Sequence, residues 1–290
     1  MSISDGRVVI VTGAGQGIGR AHALAFGADG ARVVVNDVGQ AAEEVAAEVR
    51  AAGGQAVASL GDVSDWGYGQ ELVRTAVDAY GQLDALVNNA GLVRDRMLVN
   101  MSEEEWDLVL RVDLKGHFVP LRHAAAYWKD LAKAGTPVDA RVVNTSSGAG
   151  LLGSVGQGNY SAAKAGVVAM TQVAAVEMSR FGVKLNAIAP AARTPMTEVV
   201  FAQTMAKPET GFDPMDPANV SPLVVWLASA DCDVTGRVFE VEAGIISPAD
   251  GWQHGPREDR GGRWPVEEVG PAVRRLLEKA PEPAPVYGAQ

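Results

Sequence analysis

The amino-acid sequence predicts an α/β fold: a single domain on a doubly wound, seven-stranded parallel sheet with helices on both faces. Two observations carry that prediction. The chain has 290 residues, 47% of them hydrophobic and 21% charged, which suits one large globular domain with a full core. Short β-branched runs also alternate with longer stretches of helical period, the order of repeated βα units.

The first strand, Val8–Val11, runs into a glycine-rich turn, Thr12 to Gly19, and then a helical stretch from Arg20. Arg32–Asn36 is the second strand. A helix over Ala41–Ala52 follows, with Val45 and Val49 one turn apart among Glu43, Glu44 and Glu48. Gln55–Leu60 and Leu83–Asn88 are the third and fourth strands. Ser102–Leu114 opens with Ser102 and, three residues on, Glu105, a capping box at a helix start. Arg141–Thr145, Val183–Ile188 and Arg237–Val241 complete the seven, and ligands are expected at the carboxyl ends of the strands.

Two stretches depart from this rhythm. Residues 191–220 hold Pro195, Pro208, Pro214 and Pro217 among Met196, Met205, Met215, Phe201 and Phe212, which reads either as a substrate-covering flap or as an ordinary packed loop. The catalytic domain is therefore taken as 1–245. Residues 246–290 read as an extension with Trp252, Trp264, a short helix through Val266, Val269, Val273, Leu276 and Leu277, and a loose Pro-rich terminus, more structural or oligomer-contacting than catalytic.

With 25 Lys and Arg against 35 Asp and Glu, the net charge of −10 argues against nucleic-acid and anionic-membrane partners and leaves small molecules as clients. One cysteine, Cys232, and four histidines provide no disulfide and no metal-ligand spacing. Cys232 reads as a small apolar residue near a helix surface. The apolar run from Val8 is too short for a secretory or membrane-spanning segment, so a cytoplasmic location is expected.

The glycines of the first turn, Gly13, Gly17 and Gly19, let a backbone turn sharply and approach a pyrophosphate at a helix N-terminus, although such turns also occur as plain connections. Asp37 follows the second strand, eighteen positions after Gly19. A carboxylate there can accept from both adenosine ribose hydroxyls and repels a 2′-phosphate, so NAD is expected over NADP. Tyr160 and Lys164, four apart on a helix, share one face, and the ammonium favours the phenolate and makes Tyr160 a general acid or base. Ser147, just after the fifth strand, can hold a substrate oxygen.

Together the Thr12–Gly19 turn, Asp62-Val63, Asn88-Asn89-Ala90-Gly91, Ser147 and Tyr160-x-x-x-Lys164 resemble the short-chain dehydrogenase/reductase family, a Rossmann-like fold. The resemblance implies that Gly13, Gln16, Ile18 and Gly19 line the pyrophosphate, Asp37 holds the adenosine ribose, Asp62 and Val63 flank the adenine, and Asn89 lies against the nicotinamide half. Tyr160 would exchange a proton with the substrate oxygen while hydride moves. Lys164 would bind the nicotinamide ribose and Ser147 would orient the substrate. The stretches Asn36 to Gly39, Arg94 to Met97, Gly156 to Lys164 and Val238 to Gly244 are similar to (3R)-hydroxyacyl-CoA dehydrogenase domains of multifunctional β-oxidation enzymes. A 3-hydroxyacyl-CoA is therefore the expected substrate, a hydroxysteroid the runner-up, and a catalytically silent NAD-binding scaffold the alternative from another class. Coenzyme A phosphates would call on Arg94, Arg96 and Arg193, and homotetramers or homodimers are implied.

Three positions depart from the family pattern. Asp113 stands where Asn is usual, Pro190-Ala191 replaces Pro-Gly after the sixth strand, and an insertion around Lys133–Ala140 is expected as a surface loop. Asp113 is a candidate site residue whose charge would disfavour the phenolate if it faced Tyr160.

Overall fold

The computed structural model describes residues 2–194, 206–249 and 251–289. Its sheet runs β3-β2-β1-β4-β5-β6-β7-β8. The strands are β1 (Val8–Val11), β2 (Arg32–Asp37), β3 (Gln55–Leu60), β4 (Ala85–Asn88), β5 (Ala140–Thr145), β6 (Val183–Ala191), β7 (Val238–Glu242) and β8 (Ile245–Pro248). The first seven are parallel, but β8 pairs antiparallel with β7, so the expected seven strands become eight. A two-residue turn, Ala243-Gly244, makes this hairpin, with Ala243 at a φ of +51°. The turn lacks the Asn-Gly or Asp-Gly that marks such hairpins in a sequence. β8 also straddles the boundary expected at residue 245.

The inner strands are buried on both faces along most of their length, except β7, where Phe239 and Glu240 are partly exposed and Glu242 is exposed. Val9 and Val11 of β1 enter one hydrophobic cluster, Val8 and Ile10 the other, as the period of two requires. The first cluster is covered by α1 (Gly17–Ala28), α2 (Ala41–Ala51) and α8 (Ser221–Leu227), through Phe26, Val45, Val49 and Leu227. The second lies under α3 (Trp66–Tyr80), α5 (Gly116–Lys133) and α7 (Gly158–Ser179), through Leu72, Leu121, Trp128 and Ala175. Cys232 is fully buried in the first cluster, following α8, rather than near a helix surface.

Local chemistry sets the element ends. Ser102 and Glu105 form the expected capping box, both bonds present, at the start of α4 (Glu103–Val109). A wide π-helical turn, Leu110–Lys115, joins α4 to α5 and buries Asp113. β4 starts at Ala85 rather than Leu83, because the Asp84 carboxylate accepts from the Val8 N–H at 2.7 Å and the Leu83 carbonyl takes the Trp128 indole N–H at 2.7 Å. Residues 134–139 form the expected surface loop. α6 (Gly148–Leu152) and α9 (Val266–Leu277) are the remaining α-helices among the described residues. Among the described residues no helix is long and apolar enough to cross a membrane.

The chain reverses its winding between β1 and β4, which opens a crevice at the carboxyl ends of these strands. Trp128 braces that junction from behind, 1% exposed. Trp128→Ala should lower the unfolding free energy by about 3–5 kcal/mol, read from urea melts, since it empties a large core site and orphans the Leu83 carbonyl.

Candidate active site

A cleft of about 1000 Å³ occupies this crevice. Its walls bring together Gly13, Gln16, Gly17, Ile18, Asp37, Asp62, Val63, Asn89, Asp113, Ser147, Tyr160 and Lys164, drawn from seven separate stretches of sequence. Gly19 lies behind the wall instead. A Cβ there would collide with the Gly13 carbonyl and stand 2.5 Å from Asn89 Nδ2, so its role is the close packing of α1 against the strands.

One half of the cleft suits a dinucleotide. α1 starts at Gly17 with no side-chain cap from Gln16 and no acidic residue in its first turn, so free N–H groups and the positive helix end face the cavity. Asp37 is held at the end of β2, its carboxylate accepting from the Gly15 N–H at 3.0 Å and the Val38 N–H at 2.7 Å. Thr12, unassigned by the sequence, is the tie between the two glycine-containing segments. Its hydroxyl accepts from the N–H groups of Asn89 (2.9 Å) and Ala90 (3.1 Å), while Asn89 Nδ2 donates to the Thr12 and Gly13 carbonyls at 3.1 and 3.2 Å. These residues fit a nicotinamide dinucleotide.

The other half holds Ser147, Tyr160, Lys164 and Asp113. Ser147 caps α6, its Oγ accepting from the Ala149 N–H at 3.2 Å, while its O–H is directed at the Tyr160 phenol oxygen. Tyr160 sits in the first turn of α7 and Lys164 one turn later, with Lys164 Nζ 5.6 Å from the Tyr160 ring centre. Gly150 lets α6 lie directly on that turn, because a Cβ there would come within 2.7 Å of Lys164 Cβ. Lys164 is 2% exposed and donates to the Thr145 carbonyl at 3.0 Å. Asp113, fully buried, pairs with it at 3.2 Å and also accepts from the Leu92 N–H. Gly91 makes the room, since a Cβ there would stand 2.5 Å from Asp113 Oδ1.

These charges set the titration of the site. Burial pushes the Asp113 carboxyl up, and the Lys164 ammonium pulls against it. Burial likewise raises the Tyr160 phenol; Lys164 and the Ser147 hydrogen bond pull it down, and Asp113 pushes it further up. The net direction is upward, opposite to the expectation that Lys164 brings the phenol down. A helical spacing reports the ammonium but not the desolvation, nor the carboxylate on its far side.

The start of α7 is clamped to the loop after β4. Asn159, fully buried, donates to the carbonyls of Arg94 (3.1 Å) and Glu105 (3.3 Å) and accepts from the Tyr160 N–H. Gln157 donates to both Asp95 oxygens, and the Arg96 N–H reaches the Gly156 carbonyl at 2.7 Å. The Arg94-to-Met97 and Gly156-to-Lys164 stretches are thus one structural unit. Of the 191–220 stretch, residues 195–205 lie outside the described residues, with Pro195, Met196, Phe201 and Met205 among them. Arg193 and Asp213 pair at 2.7 Å at its base. Among the described residues no group of three or more His, Cys, Asp or Glu could hold a metal ion.

The short chain dehydrogenase family profile matches residues 7–204. The chain belongs to this family. It is 48% identical over 274 residues, 88% of this chain and 86% of the relative, to hydroxyacyl-CoA dehydrogenase ChsB1 of Mycobacterium tuberculosis. It is 43% identical to peroxisomal multifunctional enzyme type 2 of Mus musculus, covering 83% of this chain but only 32% of that longer protein. The crystal structure of a short chain dehydrogenase from Mycobacterium avium superposes with a TM-score of 0.92 at 60% identity, over 99% of this chain and 100% of that one. This short-chain dehydrogenase is therefore an oxidoreductase that works with a nicotinamide cofactor.

Burial, reinforced by Asp113, leaves the neutral Tyr160 phenol favoured in this dehydrogenase. In Asp113→Asn, the rising limb of the pH profile for alcohol oxidation should move to lower pH, measured as kcat/KM against pH.

Proposed function

We propose that this dehydrogenase uses NAD to interconvert a secondary alcohol and a ketone, and that its substrate is a 3-hydroxyacyl-CoA thioester. The observation that carries the reaction is the convergence of Ser147, Tyr160 and Lys164 on the cleft beside the glycine turn and Asp37. Support for the substrate class comes from the resemblance of whole segments, Arg94 to Met97 and Gly156 to Lys164, to hydroxyacyl-CoA dehydrogenases, and from the names of the relatives.

In the oxidative direction the Ser147 hydroxyl donates to the substrate oxygen and fixes its position. The Tyr160 phenolate accepts the hydroxyl proton as the carbonyl forms; in reduction the phenol returns it. Lys164 stabilises the phenolate from below and, through Thr145 and Asp113, stays rigid while it does so. The nicotinamide, when bound, accepts or supplies the hydride. Tyr160→Phe should reduce NADH formation at least a thousandfold while NAD binding, followed by fluorescence, persists; retained turnover would end this mechanism.

NAD is favoured over NADP by Asp37, whose fixed carboxylate would face a 2′-phosphate, and by the lack of Arg or Lys at residues 14–18. Asp37→Ala should narrow the ratio of kcat/KM for NAD over NADP at least tenfold, read from initial rates with each cofactor.

The candidate for the coenzyme A phosphates is Arg94, which is exposed, hydrogen-bonded by one Nη to the Val93 carbonyl, and flanked in sequence by Val93 and Asp95 of the cleft wall. Arg96 pairs with Glu105 at 3.0 Å, but its side chain is 59% exposed, so the pair exchanges at little cost for a phosphate. Arg193 is committed to Asp213. That commitment, with Glu240 and Glu242 on the cleft wall, favours a neutral hydroxysteroid as the second reading. NADH formation with a 3-hydroxyacyl-CoA and with a hydroxysteroid, compared at equal concentration, separates the two. The single buried, unpaired thiol of Cys232 supports a reducing, cytoplasmic setting. Exposed Val173 and Val176 on α7, and Val266 and Leu277 on α9, support a homotetramer or homodimer.

A further inference from the structure

The Pro-rich terminus is not loose. Beyond α9 the chain returns across the molecule and pairs with the loop between α6 and α7. The Tyr287 N–H donates to the Gly153 carbonyl at 3.1 Å, and the Val155 N–H donates to the Tyr287 carbonyl at 2.9 Å. Ser154 and Tyr287 thus form a parallel bridge. That loop connects the two elements that carry Ser147 and Tyr160.

One glycine permits the close approach of the ring. A Cβ on Gly148, the residue next to Ser147, would stand 2.9 Å from both the Tyr287 ring and its hydroxyl oxygen. Gly153 and Gly288 act through the backbone instead, with φ of +81° and +76°, since a Cβ on either would meet Val286 or Val155 only at ordinary contact distance. Tyr287 and Gly288 line the cleft with Glu240 and Glu242 of β7, and Tyr287 remains 46% exposed. Pro281, Pro283 and Pro285 stiffen the approach, which reduces the entropy lost in holding Tyr287 in its bridge. A tail needed only for packing has no reason to place an aromatic ring one residue from the group that orients the substrate oxygen.

We propose that the C-terminal tail is the wall of the cleft that selects the acyl group, with Tyr287 as its specificity-determining residue. The ring covers the space beyond Gly148 where the substituent of the reacting carbon extends, and it limits the bulk accepted there. The identity of the selected group as acyl rests on the hydroxyacyl-CoA reading; the selection itself does not.

The test compares the full chain with Tyr287→Ala, Tyr287→Phe and a chain ending at Ala284, using 3-hydroxybutyryl-CoA and 3-hydroxydecanoyl-CoA. In Tyr287→Ala and the shortened chain, the ratio of kcat/KM for the long over the short substrate should change at least tenfold. Tyr287→Phe, which keeps the ring, should hold the wild-type ratio, and the Kd for NAD should stay within twofold throughout. Equal losses on both substrates would mean a structural tail and overturn the proposal. If the full chain oxidises neither thioester, the substrate reading fails, and the same ratio is taken with 2-octanol over 2-butanol. An unchanged ratio there, or no turnover of either alcohol, overturns the tail proposal as well.

Discussion

A lysine ammonium that is 2% exposed must be surrounded by acceptors, and the catalytic half of this molecule is arranged around that requirement. Lys164 has the Thr145 carbonyl at the end of β5 and the Asp113 carboxylate in the wide turn before α5. Losing one partner of a buried pair of this kind costs about 3–5 kcal/mol, so the three elements are locked together. Gly91 and Gly150 are where backbone would otherwise crowd the pair or the helix that bears it. The wide turn is a departure from regular helix geometry that delivers Asp113 to the interior, a common association of such turns with functional sites. Tyr160 inherits a fixed position and two opposing charges from this arrangement.

The parallel sheet supplies the second constraint. Its winding reverses between β1 and β4, so the glycine turn after β1 and the Asn88-to-Gly91 segment after β4 meet across a crevice, joined by Thr12. A chain of net charge −10 holds a diphosphate there without a basic field, because uncapped N–H groups and the helix end do the work locally. Part of the acidity also has a use. Asp37 is fixed by backbone N–H groups at the end of β2, and under the proposed reading its charge faces the place where NAD and NADP differ.

The strands, the glycine turn and the Tyr160, Lys164 and Ser147 set were legible because each is written in local periodicity or spacing. β8 was not, since four residues after an Ala-Gly turn have neither length nor turn chemistry to announce them. The upward direction of the Tyr160 phenol was also hidden, because burial is a property of the assembled cleft. Asp113 was visible as a departure from the family pattern, but its pairing with Lys164 depends on a turn geometry that no heptad or cap signals. The role of Tyr287 is the clearest loss. It reaches the site through a long-range backbone bridge, and a proline-rich terminus reads as loose in any one-dimensional pattern.

The central claim is that the buried ammonium of Lys164 holds down a phenol that burial pushes up. The direct measurement is an NMR titration of Cζ-labelled tyrosine, with the Tyr160 resonance assigned through Tyr160→Phe, in the unaltered chain and in Lys164→Met. The midpoint of Tyr160 should lie above that of free tyrosine in the unaltered chain and rise further in Lys164→Met. A midpoint that stays put when the ammonium is removed would contradict the claim.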